Sequence, residues 1–343
     1  MFNKSMKISN LRLSNKDRAI IIAEIGINHE GNFQKCLKMI LNAKNSGADL
    51  IKLQIADPQT DYSRNSKSYQ VFQSATFSKE EIFKIYKFAN NKKIKLFSTF
   101  GRKNFNFFKK LDQCCYKISS SLFNDFFFIK DILKIGKPVI LSTGVSELKD
   151  IDLFLNLMIK EKNKKLAILH CRSLYPAHLS KLNLSRISYL KSKYGLITGF
   201  SDHSIGIDAA VASIHHGAKI IEKHFTLDEK KKGFDHKISL SPKNFEKMVK
   251  SIRINETMVG TPGYKIDENS SDFHQIKKIS RNFITLRELK KHVKLSKNDF
   301  SLMRISSNTN YSKFHKIFPK ILKKKIIKNL KTGSILKIND FEK

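Results

Sequence analysis

Between Ala19 and about Met258 the chain alternates short apolar runs with segments of helical period, and this alternation restricts its fold more than any other feature. Strands that alternate with helices pair in parallel and need those helices to cover them. Eight runs can be counted: AIIIAEIG at 19–26, DLIKLQ at 49–54, IKLFST at 94–99, CYKISS at 115–120, KPVILST at 137–143, KLAILHC at 165–171, ITGFSD at 197–202 and AKIIEKHF at 218–225. Eight β/α units close a (β/α)8 TIM barrel, although an open doubly wound sheet reads the same way locally. None of the runs carries the charge that protects an exposed edge strand, which favours closure and an α/β barrel.

The intervening segments carry helix signals. Cys36, Met39, Ile40 and Ala43 recur at helical spacing and stop at Gly47. Ser78 and Glu81 have the spacing of a capping box ahead of Ile82, Ile85 and Tyr86. A barrel takes about 250 residues, so a chain of 343 has room for a further small module. We expect a barrel over 1–262, a linker rich in Gly, Pro, Asp and Ser over 263–280, and a compact β-rich domain over 281–343 built on NFITL, SLMRI and SILKI.

Lys and Arg number 65 against 30 Asp and Glu, a net charge of +35. Such an excess invites a nucleic-acid reading, but the lysines are spread over nearly every expected helix and no helix-turn-helix, zinc or RNA-binding signature accompanies them. The expectation is a solvated basic surface, without a nucleic-acid partner, whose field favours anionic substrates. No stretch of 18 uncharged apolar residues occurs and the first ten residues lack an apolar core, so neither a membrane span nor a secretion signal is expected. Cys36, Cys114, Cys115 and Cys171 lack metal-ligand spacing and read as reduced thiols of a cytoplasmic protein.

Nearly every run ends in a polar or ionisable residue, at the end where barrel enzymes assemble their sites: Glu24, Lys52 with Gln54, Thr99, Lys117 with Ser120, Ser142, His170, Ser201 with His203, and Glu222 with His224. Two buried lysines at one mouth call either for an anionic ligand or for internal ion pairs. The hydroxyls of Thr99, Ser120, Ser142 and Ser201 could add hydrogen bonds to a phosphate or carboxylate, though each alone reads equally as a turn residue. His203 and His224 close the seventh and eighth strands, near enough to share a divalent ion in an open site, or else to be structural.

The segments IIAEIGINHEGN (21–32), IKLQ (51–54), YKI (116–118), ILSTGVS (140–146), GFSDHSIG (199–206) and EKHFTLD (222–228) resemble, in order and spacing, the sialic acid synthase family of N-acetylneuraminate, legionaminate and pseudaminate synthases. The stretches TLRELKKHVKLSKNDFSLMRI (285–305) and KTGSILKINDFE (331–342) resemble that family's antifreeze-like SAF domain. The resemblance implies a transferase that condenses phosphoenolpyruvate with an N-acetylated amino-sugar aldehyde, N-acetylmannosamine or a related trideoxy sugar, giving a nonulosonic acid and phosphate. It makes His203 and His224 ligands of a divalent metal, Mn²⁺ ahead of Mg²⁺ or Co²⁺. Lys52, Thr99, Lys117, Ser120, Ser142 and Ser201 become the phosphoenolpyruvate pocket. Glu24, Gln54, Tyr175 and Asp235 face the sugar, with Glu24 a candidate for proton transfer. Arg304 becomes a group supplied by the second subunit of a domain-exchanged homodimer. The chain departs from the family pattern in three places: Ser121 and Leu122 where an acidic residue usually follows YKIS, Ser173 in place of Asn, and residues 305–308 in place of a Pro-Gly-Asn-Gly turn. The competing expectation is a degenerate barrel retained as a sugar-binding or scaffold protein.

Overall fold

The structure, a computed structural model, describes residues 2–260, 267, 269–304 and 314–342. It divides into two compact units, Met1–Gly260 and Thr261–Lys343. The first opens with a hairpin of β1 (Ser5–Ile8) and β2 (Leu11–Ser14). Eight strands follow: β3 (Ile20–Gly26), β4 (Leu50–Ile55), β5 (Leu96–Phe100), β6 (Tyr116–Ile118), β7 (Val139–Ser142), β8 (Leu166–Cys171), β9 (Ile197–Asp202) and β10 (Ile220–His224). They pair in parallel in the order β5-β4-β3-β10-β9-β8-β7-β6, and β5 and β6 pack together across the remaining seam. The eight apolar runs are therefore the staves of a (β/α)8 barrel.

Side chains of a strand alternate between its two faces, so each stave has an inner and an outer row. On β3 the outer row, Ile21, Ala23 and Ile25, packs against the helices. The helices Phe33–Asn45 and Lys79–Asn91 bury the stripes read from the sequence, Cys36, Met39, Ile40 and Ala43 on one and Ile82, Ile85 and Tyr86 on the other. The capping box forms, with Ser78 N donating to Glu81 Oε2 at 2.8 Å and Glu81 N to Ser78 Oγ at 3.2 Å.

The inner row changes character along the barrel. At the amino-terminal end it is apolar: Ile20, Ile22, Leu50, Phe97, Ile140, Leu169, Ile197 and Ile220 form one cluster. Met6, Ile8 and Leu13 of the hairpin join that cluster and stopper the barrel from below. Gly199 sits where this interior has no room for a side chain, since a Cβ there would collide with the carbonyl oxygen of Ile220 on the next strand. Two to four residues higher, the same inner row becomes Glu24, Lys52, Lys117, Ser142, Ser201, Glu222 and His224.

In the second unit β11 (Arg281–Thr285) pairs antiparallel with β12 (Phe300–Arg304), and a helix spans Phe314–Lys323. Phe283, Leu289, Ile317, Ile321, Ile326, Leu330, Leu336 and Phe341 form its core. The stretch expected as a linker contains the short helix Phe273–Ile279. Among the described residues no helix is long and apolar enough to cross a membrane. Phe97 is fully buried in the apolar stopper. Phe97→Ala is expected to cost about 3–5 kcal/mol, read as a lower denaturant midpoint with little change in slope.

Candidate active site

Above the stopper the barrel holds a cavity of about 420 Å³ at the carboxy-terminal ends of the strands. Its lower part is ionic. The ammonium of Lys52 contacts the carboxylate of Glu24 on β3 and lies 2.8 Å from Glu222 Oε1 on β10. Ser201 donates to the same Glu222 oxygen at 3.0 Å. Lys117 donates to Ser142 Oγ at 2.7 Å and lies 3.9 Å from Glu222. Both alternatives raised by the two lysines thus have a place here: Lys52 is internally paired, whereas Lys117 has a hydroxyl close by and a carboxylate only at longer range.

Burial lowers the Lys52 ammonium to about 8, against the opposing pull of Glu222. Burial would raise Glu222, but Lys117, Lys52 and the Ser201 hydroxyl overcome it and hold the carboxyl at about 2. Near neutral pH the Lys52 ammonium and the Glu222 carboxylate are therefore both charged. The second oxygen, Glu222 Oε2, is buried without a hydrogen-bond partner among the described residues. Thr99 and Gln54 line the cavity beside this cluster, and Ser120, also lining it, accepts from Gly144 N at 2.8 Å.

The adjoining wall carries His203 and His224, 5.5 Å apart centroid to centroid, with His224 directly paired to Glu24 across β10 and β3. His203 Nδ1 lies 2.8 Å from the carbonyl oxygen of Arg172, a hydrogen bond that requires the proton on Nδ1 and leaves Nε2 as an acceptor, to which the Tyr175 hydroxyl donates at 3.3 Å. The Tyr175 ring stacks on His203 at 4.2 Å. His224 Nδ1 is buried without a hydrogen bond and lies 3.7 Å from Asp235 Oδ2. Burial lowers both imidazoles, His224 further because His203 and Lys52 are near, so both are neutral and able to ligate. Burial raises the Asp235 carboxyl to about 6.

Among the described residues no three or more His, Cys, Asp or Glu side chains are grouped so that they could hold a metal ion. Two neutral imidazoles, one with an orphaned nitrogen, are nonetheless donors that suit a divalent ion completed by water and substrate.

Two devices hold this wall. Asn28, from the turn after β3, donates to Phe225 O at 3.0 Å and to Ser239 Oγ at 2.8 Å, and accepts from Asp235 N at 3.0 Å. Behind the histidines, Asp202 and Lys223 pair at 2.9 Å with neither side chain exposed, on directly paired positions of β9 and β10. Ser204, just beyond His203, is tied to both: its N–H and hydroxyl donate to Asp202 at 2.8 and 2.7 Å, and its carbonyl accepts from Lys223.

A model of the NeuB family matches residues 39–264. The chain belongs to the NeuB family. The pseudaminic acid synthase of Campylobacter jejuni is 33% identical over 98% of this chain and 100% of its own length. The N,N'-diacetyllegionaminic acid synthase of Legionella pneumophila is 31% identical over 83% of this chain and 85% of its own. The crystal structure of an N-acetylneuraminic acid (sialic acid) synthetase from Leptospira borgpetersenii superposes with a TM-score of 0.76 at 30% identity, covering 80% of this chain and 96% of that one.

For this NeuB family chain, the cavity brings together Glu24, Lys52, Gln54, Thr99, Lys117, Ser120, Ser142, Tyr175, Ser201, His203, His224 and Asp235. Arg304 ends β12 in the second unit, with its side chain exposed. His170, which the sequence places among the strand-end residues, faces outward instead, with Nε2 2.6 Å from Leu182 O and its ring on Phe200. Its neighbour Cys171 lines the cavity.

Sequence reasoning named Glu222 without giving it a role; its spacing of two from His224 on one strand was the available signal. Tyr62 and Phe72, stacked at 4.6 Å on the 56–77 segment, also line the mouth. Ser173, one of the three family departures, lines the same cavity, whereas Leu122 lines an adjoining chamber. The departure at 305–308 lies outside the described residues.

Removing one partner of a fully buried ion pair strands the other charge. Asp202→Ala is therefore expected to cost about 3–5 kcal/mol in urea unfolding. Pairing Asp202→Leu with Lys223→Met should recover most of that loss.

Proposed function

We propose that this chain condenses phosphoenolpyruvate with an N-acetylated amino-sugar aldehyde to form a nonulosonic acid and inorganic phosphate. The observation that carries this reading is the meeting of Lys52, Lys117, His203 and His224 around one cavity, from four separate strand ends. Lys52 and Lys117 bind the phosphate and carboxylate of phosphoenolpyruvate, and Thr99, Ser120, Ser142 and Ser201 add hydroxyl contacts that fix its orientation. The incoming anion competes with Glu24 and Glu222 for the lysines, so it enters a site whose cations are already placed and need little reorganisation.

A divalent ion held by His203 and His224, which we take to be Mn²⁺ ahead of Mg²⁺ or Co²⁺, supplies Lewis-acid polarisation of the sugar carbonyl. Gln54, Tyr175 and Asp235 orient the open-chain sugar so that its aldehyde carbon faces C3 of phosphoenolpyruvate. Glu24, a carboxylate beside Lys52, is the candidate base that takes the proton from the water adding at C2 and passes it to the oxygen of the former aldehyde. Water adds at C2 of the former phosphoenolpyruvate, and phosphate departs with cleavage of its C–O bond.

The second unit fits this reading as a SAF module over 281–343, joined by 263–280 to a barrel over 1–262 and supplying Arg304 to the partner's barrel in a domain-exchanged homodimer. The reaction needs no membrane or nucleic acid and is that of a cytoplasmic biosynthetic enzyme. Leu122, where an acidic residue is usual, favours a second reading in which the barrel binds sugar without turnover.

The two readings separate in a phosphate-release assay. The synthase releases phosphate from phosphoenolpyruvate only when an N-acetylated amino sugar and a divalent metal are both present, with product confirmed by mass spectrometry. Sugar binding without any phosphate release would leave the non-catalytic reading. Lys117→Met should lower kcat/KM by about 10²-fold or more, and His224→Ala should weaken Mn²⁺ binding measured by electron paramagnetic resonance while the circular dichroism spectrum is unchanged.

A further inference from the structure

Cys114 and Cys115 are consecutive residues at the foot of β6, outside the reactant cavity. Successive side chains of a strand point to opposite faces, yet these two sulfurs lie 4.0 Å apart. The alternation has not begun here: Asp112 turns the chain with a φ of 52°, and β6 starts only at Tyr116. Cys115 is fully buried in the apolar stopper, within the cluster that holds Ile8, Leu13 and Phe97, and Cys114 packs against the same cluster while staying partly exposed. The pair is a dithiol with one accessible and one sheltered sulfur.

The two thiols differ in the way such a pair needs in order to react in sequence. The hydrogen bond with Cys115 holds the Cys114 thiol below its usual range against the opposing pull of burial, and the Lys137 ammonium adds to the effect. Burial pushes the Cys115 thiol well above its usual range. The thiolate is the form that attacks an oxidant, so Cys114 reacts first and Cys115 resolves the product.

The dithiol lies beneath two parts of the barrel on which the site depends. Cys115 and Lys117 are two apart on the inner row of β6, so Lys117 stands directly above Cys115, where it donates to Ser142 Oγ at 2.7 Å. On the other side Gln113 closes the seam between β5 and β6, which pair through no backbone ladder among the described residues. Gln113 Oε1 accepts from Ser98 N on β5 and from the Tyr86 hydroxyl at 2.7 Å, and its carbonyl oxygen accepts from Lys137 at 2.8 Å. Consecutive Cα atoms stand about 3.8 Å apart, closer than the roughly 4.4–6.8 Å that a disulfide usually spans. A bridge between Cys114 and Cys115 therefore twists the peptide that joins them. The twist passes to Gln113 on one side and to Tyr116 and Lys117 on the other, and the same misfit leaves the bridge easy to reduce.

We infer that Cys114 and Cys115 are a modification site for hydroperoxides, closing to a vicinal disulfide that a small dithiol reopens and that loosens the hold of Lys117 on its anion. The Cys114 sulfur attacks the O–O bond of the hydroperoxide and takes one oxygen as a sulfenic acid. The other oxygen leaves, with the proton Cys114 has given up, as an alcohol or, from hydrogen peroxide, as water. The Cys115 sulfur then attacks that of Cys114, and its proton departs with the displaced hydroxide as water. Two thiols are oxidised and one peroxide bond is reduced. Only the last link, to the anion at Lys117, rests on the condensation reading above.

The test treats the reduced full chain with hydrogen peroxide, blocks the remaining thiols with iodoacetamide under denaturing conditions, and measures intact mass and cysteine-containing peptides. The expected product is an unblocked peptide holding both Cys114 and Cys115, lighter by two hydrogen atoms and restored by dithiothreitol. Phosphoenolpyruvate binding, measured by isothermal titration calorimetry, should weaken by about tenfold in the oxidised chain and recover with dithiothreitol. Cys114→Ser, treated in the same way, should bind as it did before treatment. The mass measurement and its reversal use the wild-type chain alone and stand even if that variant does not fold.

Irreversible oxidation of Cys114 alone, a bridge to another chain, or two free thiols after treatment overturns the proposal. A reversible bridge that leaves phosphoenolpyruvate binding unchanged overturns the coupling to Lys117, as does a loss of binding that persists in Cys114→Ser and so belongs to another thiol. A reduced chain that binds no phosphoenolpyruvate removes the condensation reading, while the mass measurement still decides the dithiol.

Discussion

The cluster of Lys52, Lys117, Glu24 and Glu222 is the constraint on which the site depends. Each of these side chains is almost wholly withdrawn from water, and an isolated charge so placed would be prohibitively expensive. They are tolerable only as a group, each carboxylate within reach of an ammonium and Ser142 and Ser201 filling further hydrogen-bonding positions. Their arrangement fixes the register of β3, β4, β6 and β10 at the upper rim. A slip of one residue on any of these strands would turn its charge outward into the helix layer.

The same alternation explains why so much could be read without coordinates. Ile20, Ile22 and Glu24 are spaced by two, as are Leu50, Lys52 and Gln54, so an apolar lower barrel and an ionisable upper rim were both written into the period of each run. The capping box at Ser78 and the stripe on Phe33–Asn45 were equally legible, because helix ends and faces are local.

Alternation applied carelessly also produced the one misplaced residue. His170 and Cys171 are adjacent, only one of them can face inward, and the inward row of β8 runs through Ala167, Leu169 and Cys171. The β1–β2 hairpin went unread because eight residues with a Ser9–Asn10 turn are too short to stand out, although Met6, Ile8 and Leu13 complete the apolar core. Tyr62 and Phe72 were invisible for a different reason: their partnership is tertiary, made by the path of a long segment between two strands, and no periodicity announces it. The adjoining chamber lined by Leu122 shares that origin, since it is formed between three loops and belongs to no single motif. The excess of lysine told nothing about the cavity, where lysines and glutamates balance.

The hairpin beneath the barrel closes its lower end with apolar side chains. With Met6, Ile8 and Leu13 filling the lower end, the lysines are approached from the upper end, where Tyr62, Phe72 and Tyr175 line the cavity. In a vessel that fills from the top, the occupant seated deepest arrives first and leaves last. On the condensation reading, a molecule held against Lys52 and Lys117 lies beneath one held at the histidines, so the plumbing of the fold favours its arriving first.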